Sequence, residues 1–256
     1  MIVVADLGTD LVQVRLQRPE KRNALSMAMI EQLTRELRRL DAEAAVRGIV
    51  LAGAGASFSA GVDLQEFAHA TSESARGLIT ALSDLCATVR QLSKPVACAV
   101  QGHCLGGALE LAACSDFRIS TPDARFGMPE VMLGIPSVID AVMLGHLIGV
   151  GRMRELLLTG EAISGETAVQ WGLVNRLAAP EDLIDVGADL LRLVTRHDPD
   201  VIAAQRRLHQ QWLDLPYTEA VERSTDPLVE AFRSGHPQQH AADRLRPAAP
   251  AGGGQP

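Results

Sequence analysis

The sequence SKPVACAVQGHCLGGALELAACSDFRIS, residues 93–120, decides the fold. After a Lys-Pro helix stop, the apolar residues 96–100 predict a short, fully buried strand. The glycine-rich turn 102–107 then leads into an apolar helix over about 108–114, and 116–120 returns as a strand. This alternation of strand and helix predicts an α/β core.

The glycine turn indicates a place for chemistry. Backbone N–H groups near Gly107 lie in the first turn of the following helix, where they lack intrahelical partners and the helix dipole adds partial positive charge. This geometry suits a developing oxyanion. The alternative is a turn that only packs a strand closely against a helix, because glycine-rich turns are common.

Two carboxylates lie in apolar surroundings beyond this turn. Glu110 lies in the helical segment ALELAAC, and Glu130 lies between Pro129 and the apolar run VMLGIP. Burying a carboxylate is costly unless it is paired or functional, so Glu110 indicates an active site more than a salt-bridged helix edge. Together the two carboxylates are suited to bracketing one water or one substrate carbon for general acid–base catalysis.

The segments on the N-terminal side extend the same alternation. Residues 11–16 alternate as a half-buried strand, and Ser26 is expected to cap a helix whose apolar stripe continues to Leu40. Residues 48–52 form a second apolar strand, and a loop rich in glycine, alanine and serine, 53–61, follows it. The first two thirds of the chain therefore read as alternating strands and helices.

The last third of the chain reads as nearly all helix. The predicted helices cover 152–159, 164–171, 180–196, 199–213 and 216–233, and an earlier one covers 74–92. A break near His197-Asp198-Pro199 is the expected boundary. The chain then divides into an active-site core, a helical oligomerisation region and a disordered tail, at 1–196, 197–246 and 247–256.

Composition narrows the class of protein. The chain has 256 residues, of which 47% are hydrophobic and 21% are charged, so it can bury a sizeable core. Its net charge of −7 and its eight aromatic residues argue against a general nucleic-acid binder and against an anionic-membrane binder. No signal peptide and no apolar run of membrane-spanning length are found, so a cytoplasmic location is expected.

The cysteines and histidines predict no metal centre. Cys86, Cys98, Cys104 and Cys114 lie in apolar segments without a CxxC pair, which is typical of buried, reduced thiols in the cytosol. The histidines are interpreted as structural or surface residues, with His103 in the glycine turn the one placed to reach a ligand. The sequence also lacks a G-x-S-x-G elbow, a Walker A motif and a GxGxxG motif.

Five motifs follow one another along the chain: RPEKRNAL (18–25), FSAGVDL (58–64), SKPVACAVQGHCLGGALEL (93–111), DFRISTPDARFGMPEVMLGIP (116–136) and LLLTGEAISGETAVQWGLVNRL (156–177). In this order and spacing they resemble the enoyl-CoA hydratase/isomerase (crotonase) family. The resemblance covers about residues 10–180 continuously, and the C-terminal helices fit the family more loosely.

The resemblance implies an α/β fold, a spiral of ββα units followed by C-terminal helices that form trimers, often as a dimer of trimers. It implies an acyl-CoA substrate, no metal, and no cofactor beyond the coenzyme A of the substrate. By motif position the oxyanion hole consists of the backbone N–H groups of Val62 and Gly107. Glu110 would deprotonate the attacking water, and Glu130 would deliver a proton to the α-carbon. Family hydratases keep both glutamates, so their retention favours hydration of a 2-enoyl-CoA to a 3-hydroxyacyl-CoA.

The resemblance assigns further residues to coenzyme A and substrate binding. They are Arg22, Ala24, Ala60, Asp63, Leu64, Gly106, Pro129 and Leu133. Residues 15–39 hold seven Lys or Arg and three acids, a local charge of +4 around the first motif. This local excess suits the phosphates of coenzyme A even though the whole chain is acidic.

The sequence departs from the family pattern after Glu130. Hydratases commonly carry G-x-G-G-T there, whereas this chain reads GIPSVIDAVML at 134–144, so an unusual acyl preference is expected. Ala108 replaces a third glycine of the oxyanion turn. The sequence HAADRLRP at 240–247 matches the family's C-terminal motif only loosely. The alternatives are a Δ3,Δ2-enoyl-CoA isomerase or specialised acyl-CoA dehydratase of this family, a non-catalytic RNA-binding or scaffold member, and a silent assembly subunit.

Overall fold

The computed structural model describes residues 1–245, which fall into two compact units. The first unit is Met1–Arg206, and the second begins at Arg207. The division predicted between 196 and 197 stays a prediction. The predicted disordered tail at 247–256 lies outside the described residues.

A six-stranded sheet forms the centre of the first unit. Its strands, in spatial order, are β1 (Ile2–Asp6), β2 (Leu11–Leu16), β3 (Gly48–Gly53), β4 (Val96–Val100), β6 (Phe117–Ser120) and β9 (Arg176–Leu177). The first pair is antiparallel, with Val4 opposite Val14, and each later pair is parallel. A second sheet contains β5 (His103–Leu105), β7 (Arg125–Gly127) and β8 (Ile163–Ser164).

Helices follow most of the strands. Over the described residues they are α1 (Met27–Ala42), α2 (Leu64–Ala68), α3 (Ser72–Gln91), α4 (Gly107–Ala113), α5 (Ala141–Ile148), α6 (Val150–Thr159), α7 (Gly165–Trp171), α8 (Leu183–Thr195), α9 (Pro199–Asp214), α10 (Tyr217–Arg223), α11 (Thr225–Arg233) and α12 (His236–Leu245). Short 3-10 helices cover Pro19–Lys21 and Pro129–Leu133. Within residues 1–245, none of the helices combines the length and the apolarity that crossing a membrane requires.

The central strands are apolar on both faces because helices cover both faces. Ile49, Leu51 and Cys98 belong to a core cluster that includes the buried apolar side chains of α1, α3 and α4. Val50 and Ala97, which point the other way, belong to a second cluster with the apolar face of α8. A parallel sheet enclosed in this way reads in sequence as continuous apolar runs rather than as alternation.

The structure confirms the strands predicted at 11–16 and 96–100 and the helix capped by Ser26, whose Oγ accepts from the Met29 N–H at 3.3 Å. The single helix predicted over 216–233 is wrong, because α10 and α11 are separated at Ser224. Pro227 lies in the first turn of α11, where it has no N–H to continue the preceding helix and its ring clashes with a carbonyl four residues earlier.

Candidate active site

Main-chain hydrogen bonds hold the two glycine turns side by side. The Ser59 N–H donates to His103 O at 2.9 Å, and the Leu105 N–H donates to Ser59 O at 3.2 Å, which forms a short parallel bridge. A Cβ added at Gly61 would lie 2.6 Å from Leu105 O, and the φ of Gly61 is +87°. Only glycine permits this approach and this backbone conformation, so the FSAGVDL motif is placed directly against the second turn.

The Val62 N–H points away from Leu25, the residue that pairs with Val62 in a parallel bridge. The Leu25 N–H donates to Gly61 O at 2.8 Å, and the Asp63 N–H donates to Leu25 O at 3.1 Å. In this parallel pairing the residue between the two bonded neighbours, Val62, keeps its own N–H on the opposite side. Over residues 1–245, the Val62 N–H has no acceptor.

The Gly107 N–H is the second free donor. Gly107 is the first residue of α4, so its N–H has no intrahelical partner, and the described part of the chain supplies no other acceptor. Gly106 precedes it with φ +53° and donates its own N–H to Gly127 O at 2.9 Å. The bond to β7 fixes the turn, and the start of α4 adds partial positive charge to the free donor.

Glu110 lies one turn into α4, and only 3% of its surface is exposed. The Ala141 N–H, at the start of α5, donates to Glu110 Oε1 at 3.1 Å. Burial raises the pKa of the Glu110 carboxyl to about 8; the nearby charges of Glu130 and Asp140 also raise it, and the Ala141 N–H opposes them. A carboxyl of this kind holds or releases a proton near neutral pH.

Glu130 approaches from the 3-10 helix Pro129–Leu133 and is half-buried. The Ser137 hydroxyl donates to Glu130 Oε2 at 3.2 Å. Burial raises the pKa of the Glu130 carboxyl, while a backbone N–H and the Ser137 hydroxyl lower it. A Cβ added at Gly106 would collide with Glu130 Oε1, so this glycine leaves the space that the carboxylate occupies.

One cavity brings together the two glutamates and the two residues with free N–H groups. It contains about 450 Å³ of empty space, counting the part that opens to solvent, and its lining includes Val62, Gly107, Glu110 and Glu130. The other lining residues are apolar: Phe67, Ala75, Leu78, Ile79, Leu82, Ile135, Pro136, Val138 and Ile139. The cavity therefore joins two donors and two carboxyls to a wall suited to a hydrocarbon.

The residues of the first two motifs that are predicted to bind coenzyme A lie outside the lining of this cavity. Arg22 is exposed, and its carbonyl accepts from the Ala60 N–H at 2.9 Å. Ala24 is buried, and Asp63 is 4% exposed with its carboxylate 2.5 Å from the Arg18 guanidinium. These contacts hold the two loops together, and the predicted roles of these residues in binding stay predictions.

The other predicted binding residues have three different settings. Gly106 lies beside Glu130, as described above, and Pro129 is the first residue of the 3-10 helix that carries Glu130. Leu64 and Leu133 are 56% and 46% exposed, outside the cavity lining. Their contacts with a substrate also stay predictions.

His103 lies near two arginines. Its Nδ1 is 3.1 Å from Ser57 Oγ. Burial lowers the pKa of the His103 imidazole, and the positive charges of Arg22 and Arg125 lower it further, so the ring is neutral at pH 7. The local excess of cations suits a phosphate, whereas the neutral ring adds no charge of its own.

Sequence reasoning missed Asn23, which organises the first motif. Asn23 is fully buried, and its Nδ2 donates to Ala54 O and Ser57 O, each at 2.8 Å, while its Oδ1 accepts from the Arg18 N–H at 2.9 Å. It has φ +53°, a left-handed conformation that asparagine tolerates better than most residues. In the sequence, the one sign of this residue is an asparagine directly before the apolar pair Ala24-Leu25.

One group of possible metal ligands occurs within residues 1–245. The donor atoms of Cys86, Cys114 and Asp140 lie within 4.8 Å of one another, all buried. The Arg90 guanidinium already contacts this group, with an ion pair to Asp140 and a distance of 3.5 Å from Nη1 to Cys114 Sγ. The positive charge next to the carboxylate disfavours a metal ion there, and the absence of a metal stays a prediction.

Comparisons with known proteins show the family of this chain. Residues 7–240 match the family model described as "Enoyl-CoA hydratase/isomerase". The chain is 32% identical over 224 residues to the mevalonyl-coenzyme A hydratase sidH of Aspergillus fumigatus, covering 87% of this chain and 82% of that protein. It is 33% identical over 228 residues to the 2,3-dehydroadipyl-CoA hydratase of Escherichia coli, covering 86% and 87%.

A solved structure extends the likeness to the fold. The crystal structure of an enoyl-CoA hydratase from Bacillus anthracis superposes with a TM-score of 0.89 at 28% identity, covering 96% of this chain and 98% of that one. The predicted α/β crotonase fold is therefore confirmed, and so is the predicted kind of enzyme, a carbon–oxygen lyase of the hydratase type.

Proposed function

Because the chain belongs to the enoyl-CoA hydratase/isomerase family, we propose that it adds water reversibly to a 2-enoyl-CoA thioester, giving a 3-hydroxyacyl-CoA. One observation carries the proposal: a single cavity is lined by two carboxyls and by Val62 and Gly107, whose N–H groups have no acceptor in residues 1–245. Hydration needs an anion-stabilising pair of donors and separate groups to remove and deliver protons.

The thioester oxygen binds between the N–H groups of Val62 and Gly107. When oxygen adds to the β-carbon, negative charge moves onto the thioester oxygen, and the two donors stabilise this enolate. Because both donors are main-chain groups fixed by pairing to Leu25 and to Gly127, little reorganisation is needed when the charge develops. Loss of one such donor typically costs roughly 10²–10³ in rate.

The two glutamates exchange protons in opposite directions. In hydration, ionised Glu110 takes a proton from water as the water oxygen bonds to the β-carbon, and protonated Glu130 gives a proton to the α-carbon. In dehydration, protonated Glu110 protonates the leaving hydroxyl and ionised Glu130 takes the α-proton. Burial raises the pKa of Glu110 to about 8, so near neutral pH the free protein keeps a proton on this carboxyl.

The acyl group is proposed to be an unsubstituted hydrocarbon chain. The names of two relatives refer to mevalonyl and dehydroadipyl groups, which end in a hydroxyl and a carboxyl. In this chain the residues that line the cavity between Phe67 and Leu82 and between Ile135 and Ile139 all have apolar side chains. A polar acyl terminus would lose its hydration there without gaining a partner.

Assembly and location are proposed from the same family. We expect a homotrimer or a dimer of trimers in the cytoplasm, with coenzyme A entering as part of the substrate and no cofactor required. In the second unit, several large apolar side chains are exposed: Trp212, Tyr217, Val221, Leu228, Val229 and Phe232. Such surfaces are typical of contacts between subunits. The four cysteines are free thiols, which fits a reducing compartment.

The experiment is a substrate panel with the purified protein. Crotonyl-CoA, 2-hexenoyl-CoA and 2-decenoyl-CoA should lose their conjugated absorbance, and 2,3-dehydroadipyl-CoA should react at least about tenfold less efficiently in kcat/KM. Product analysis should find the 3-hydroxyacyl-CoA. Conversion of a 3-enoyl-CoA with no hydrated product would show an isomerase instead, and inactivity across the panel would reject the proposed hydratase.

A further inference from the structure

A five-residue turn, 137–141, holds both glutamates. At one end Ser137 donates to Glu130 Oε2 at 3.2 Å, and at the other end the Ala141 N–H donates to Glu110 Oε1 at 3.1 Å. The residues between them, Val138 and Ile139, line the cavity. The position of this turn therefore sets the positions of both carboxyls and part of the acyl wall.

The turn adopts a backbone conformation that its own sequence does not favour. Ile139 has φ +53°, and a β-branched residue in this left-handed region is a genuine outlier. Such a conformation persists only where the surrounding structure fixes it. Ala141 is also the first residue of α5, so its N–H lacks an intrahelical partner and is shared between Val138 O, at 3.1 Å within the same turn, and Glu110 Oε1.

A partly buried ion pair, Arg90 with Asp140, fixes the turn. Asp140 is 7% exposed, and its Oδ1 accepts from Arg90 Nη1. The same Arg90 nitrogen lies 3.5 Å from the sulfur of Cys114, the residue that ends α4. Arg90 therefore ties together α3, the end of the helix that carries Glu110, and the turn that donates to Glu110.

We propose that Arg90 and Asp140 are positioning residues for this active site: their ion pair holds the 137–141 turn so that Ala141 and Ser137 orient Glu110 and Glu130. The inference depends on the proposed hydratase function only for its kinetic readout. Asp140 lies in the segment 134–144, where this chain lacks the family's glycine-rich stretch. Here the Asp140 side chain, rather than a glycine-rich backbone, holds the segment in position.

Several groups act on the protonation of Glu110. The charges of Glu130 and Asp140 raise its pKa, and the Ala141 N–H lowers it. From α3 and from the end of α4, the Cys86 and Cys114 thiols adjoin the same cluster as Arg90. Loss of the Ala141 N–H bond therefore raises the pKa of Glu110, and the pH profile reports on that bond.

Arg90→Gln is the main test, with Arg90→Lys as the conservative rescue. The glutamine variant should lower kcat for crotonyl-CoA roughly 10- to 100-fold, because small displacements of catalytic groups have effects of this size, while KM changes less than about threefold. The limb of the kcat/KM profile that reports Glu110 should move to higher pH. Arg90→Lys should recover most of kcat and return the limb toward the wild-type position.

The matched control is a second partly buried Arg–Asp pair, Arg206 with Asp116. The Arg206 guanidinium also donates to Leu92 O and Val89 O, which anchors α9 to the end of α3. Asp116→Asn and Asp140→Asn each remove the negative charge of one pair. Only the second should lower kcat, even if both lower the melting temperature. Equal kcat losses in the two variants, or no rescue by Arg90→Lys, would overturn the proposal.

A measurement without catalysis separates this proposal from the hydratase proposal. Hydrogen exchange of the Ala141 amide should be slow in the wild-type protein and at least about tenfold faster in Arg90→Gln, whereas amides of β4 should stay protected in both. If the wild-type protein proves inactive on every enoyl-CoA, this exchange result alone decides the proposal. An unprotected Ala141 amide in the wild-type protein, or unchanged exchange in the variant, contradicts it.

Discussion

Glu110 and Glu130 are carried by elements that differ mainly in how deeply they are buried. Every residue of α4 is buried, whereas the 3-10 helix Pro129–Leu133 has no buried residue and exposes Met132. Glu110 is therefore fixed within the core, and Glu130 is mounted on a surface segment that reaches inward. Two carboxyls of the same chemistry thus acquire different environments.

This difference teaches how the chain divides acid and base roles. Burial raises the pKa of both carboxyls, and for Glu110, with like charges close by, it reaches about 8. Because the two groups interact, the observed pKa values will belong to the pair. Separate environments are what allow one carboxyl to carry the proton that the other lacks.

The largest expected effect comes from neutralising either carboxyl. Glu110→Gln and Glu130→Gln should each lower kcat for hydration roughly 10²- to 10⁴-fold, because each removes a proton-transfer group. If the two act as one unit, the double variant should be little worse than the worse single variant. Circular dichroism and melting curves control for folding. Full activity in either single variant would show that the substituted glutamate does not transfer a proton in catalysis.

A smaller effect is expected from moving Glu130 without changing its charge. Gly106→Ala places a methyl group against Glu130 Oε1 and should lower kcat roughly tenfold or more by displacing the carboxylate. Gly149→Ala is the control, since Gly149 also has a positive φ, +80°, but no atom lies within 4 Å of an added Cβ. Both variants carry backbone strain, so a kcat loss shared by both would contradict the specific role of Gly106.

The smallest effect is a pH dependence common to the two directions. The hydration-competent state (Glu110 ionised, Glu130 protonated) and the dehydration-competent state (Glu110 protonated, Glu130 ionised) hold the same single proton, so kcat/KM should have the same pH profile in both directions. Since burial raises the pKa of Glu110 to about 8, kcat/KM should fall in both directions as the pH rises above that value and the pair loses this proton. Initial rates with crotonyl-CoA and with 3-hydroxybutyryl-CoA test this shared profile. A kcat/KM that does not fall above that pH in either direction would reject the assignment of the two roles.

The sequence predicts those parts of the site that depend on local pattern. The carboxylate in ALELAAC is conspicuous because burying it in an apolar helix costs free energy. The two glycine turns are conspicuous by their composition. The buried strand at 96–100 and the Ser26 cap follow from periodicity and capping rules. In each case the signal lies within a few neighbouring residues.

Other parts depend on contacts between distant segments. Arg90 and Asp140 are 50 residues apart, and nothing near either residue indicates its partner. Leu78 and Leu82 have the spacing of ordinary core residues, and only the packed structure shows that they face a cavity. The four shortest strands, β5 and β7 to β9, have two or three residues each, too few for a periodic pattern.

The parallel bridge between Leu25 and Val62 has a consequence for the length of the loop that contains Val62. Successive backbone N–H groups of an extended chain point to opposite sides, so the free donor at Val62 depends on the parity of the bridge. Inserting or deleting one residue between Ser59 and Val62 would turn that N–H toward Leu25 and leave the cavity with a carbonyl instead. Point substitutions leave this parity intact, so outside Gly61, where only glycine fits, the loop tolerates changes of residue type far better than changes of length.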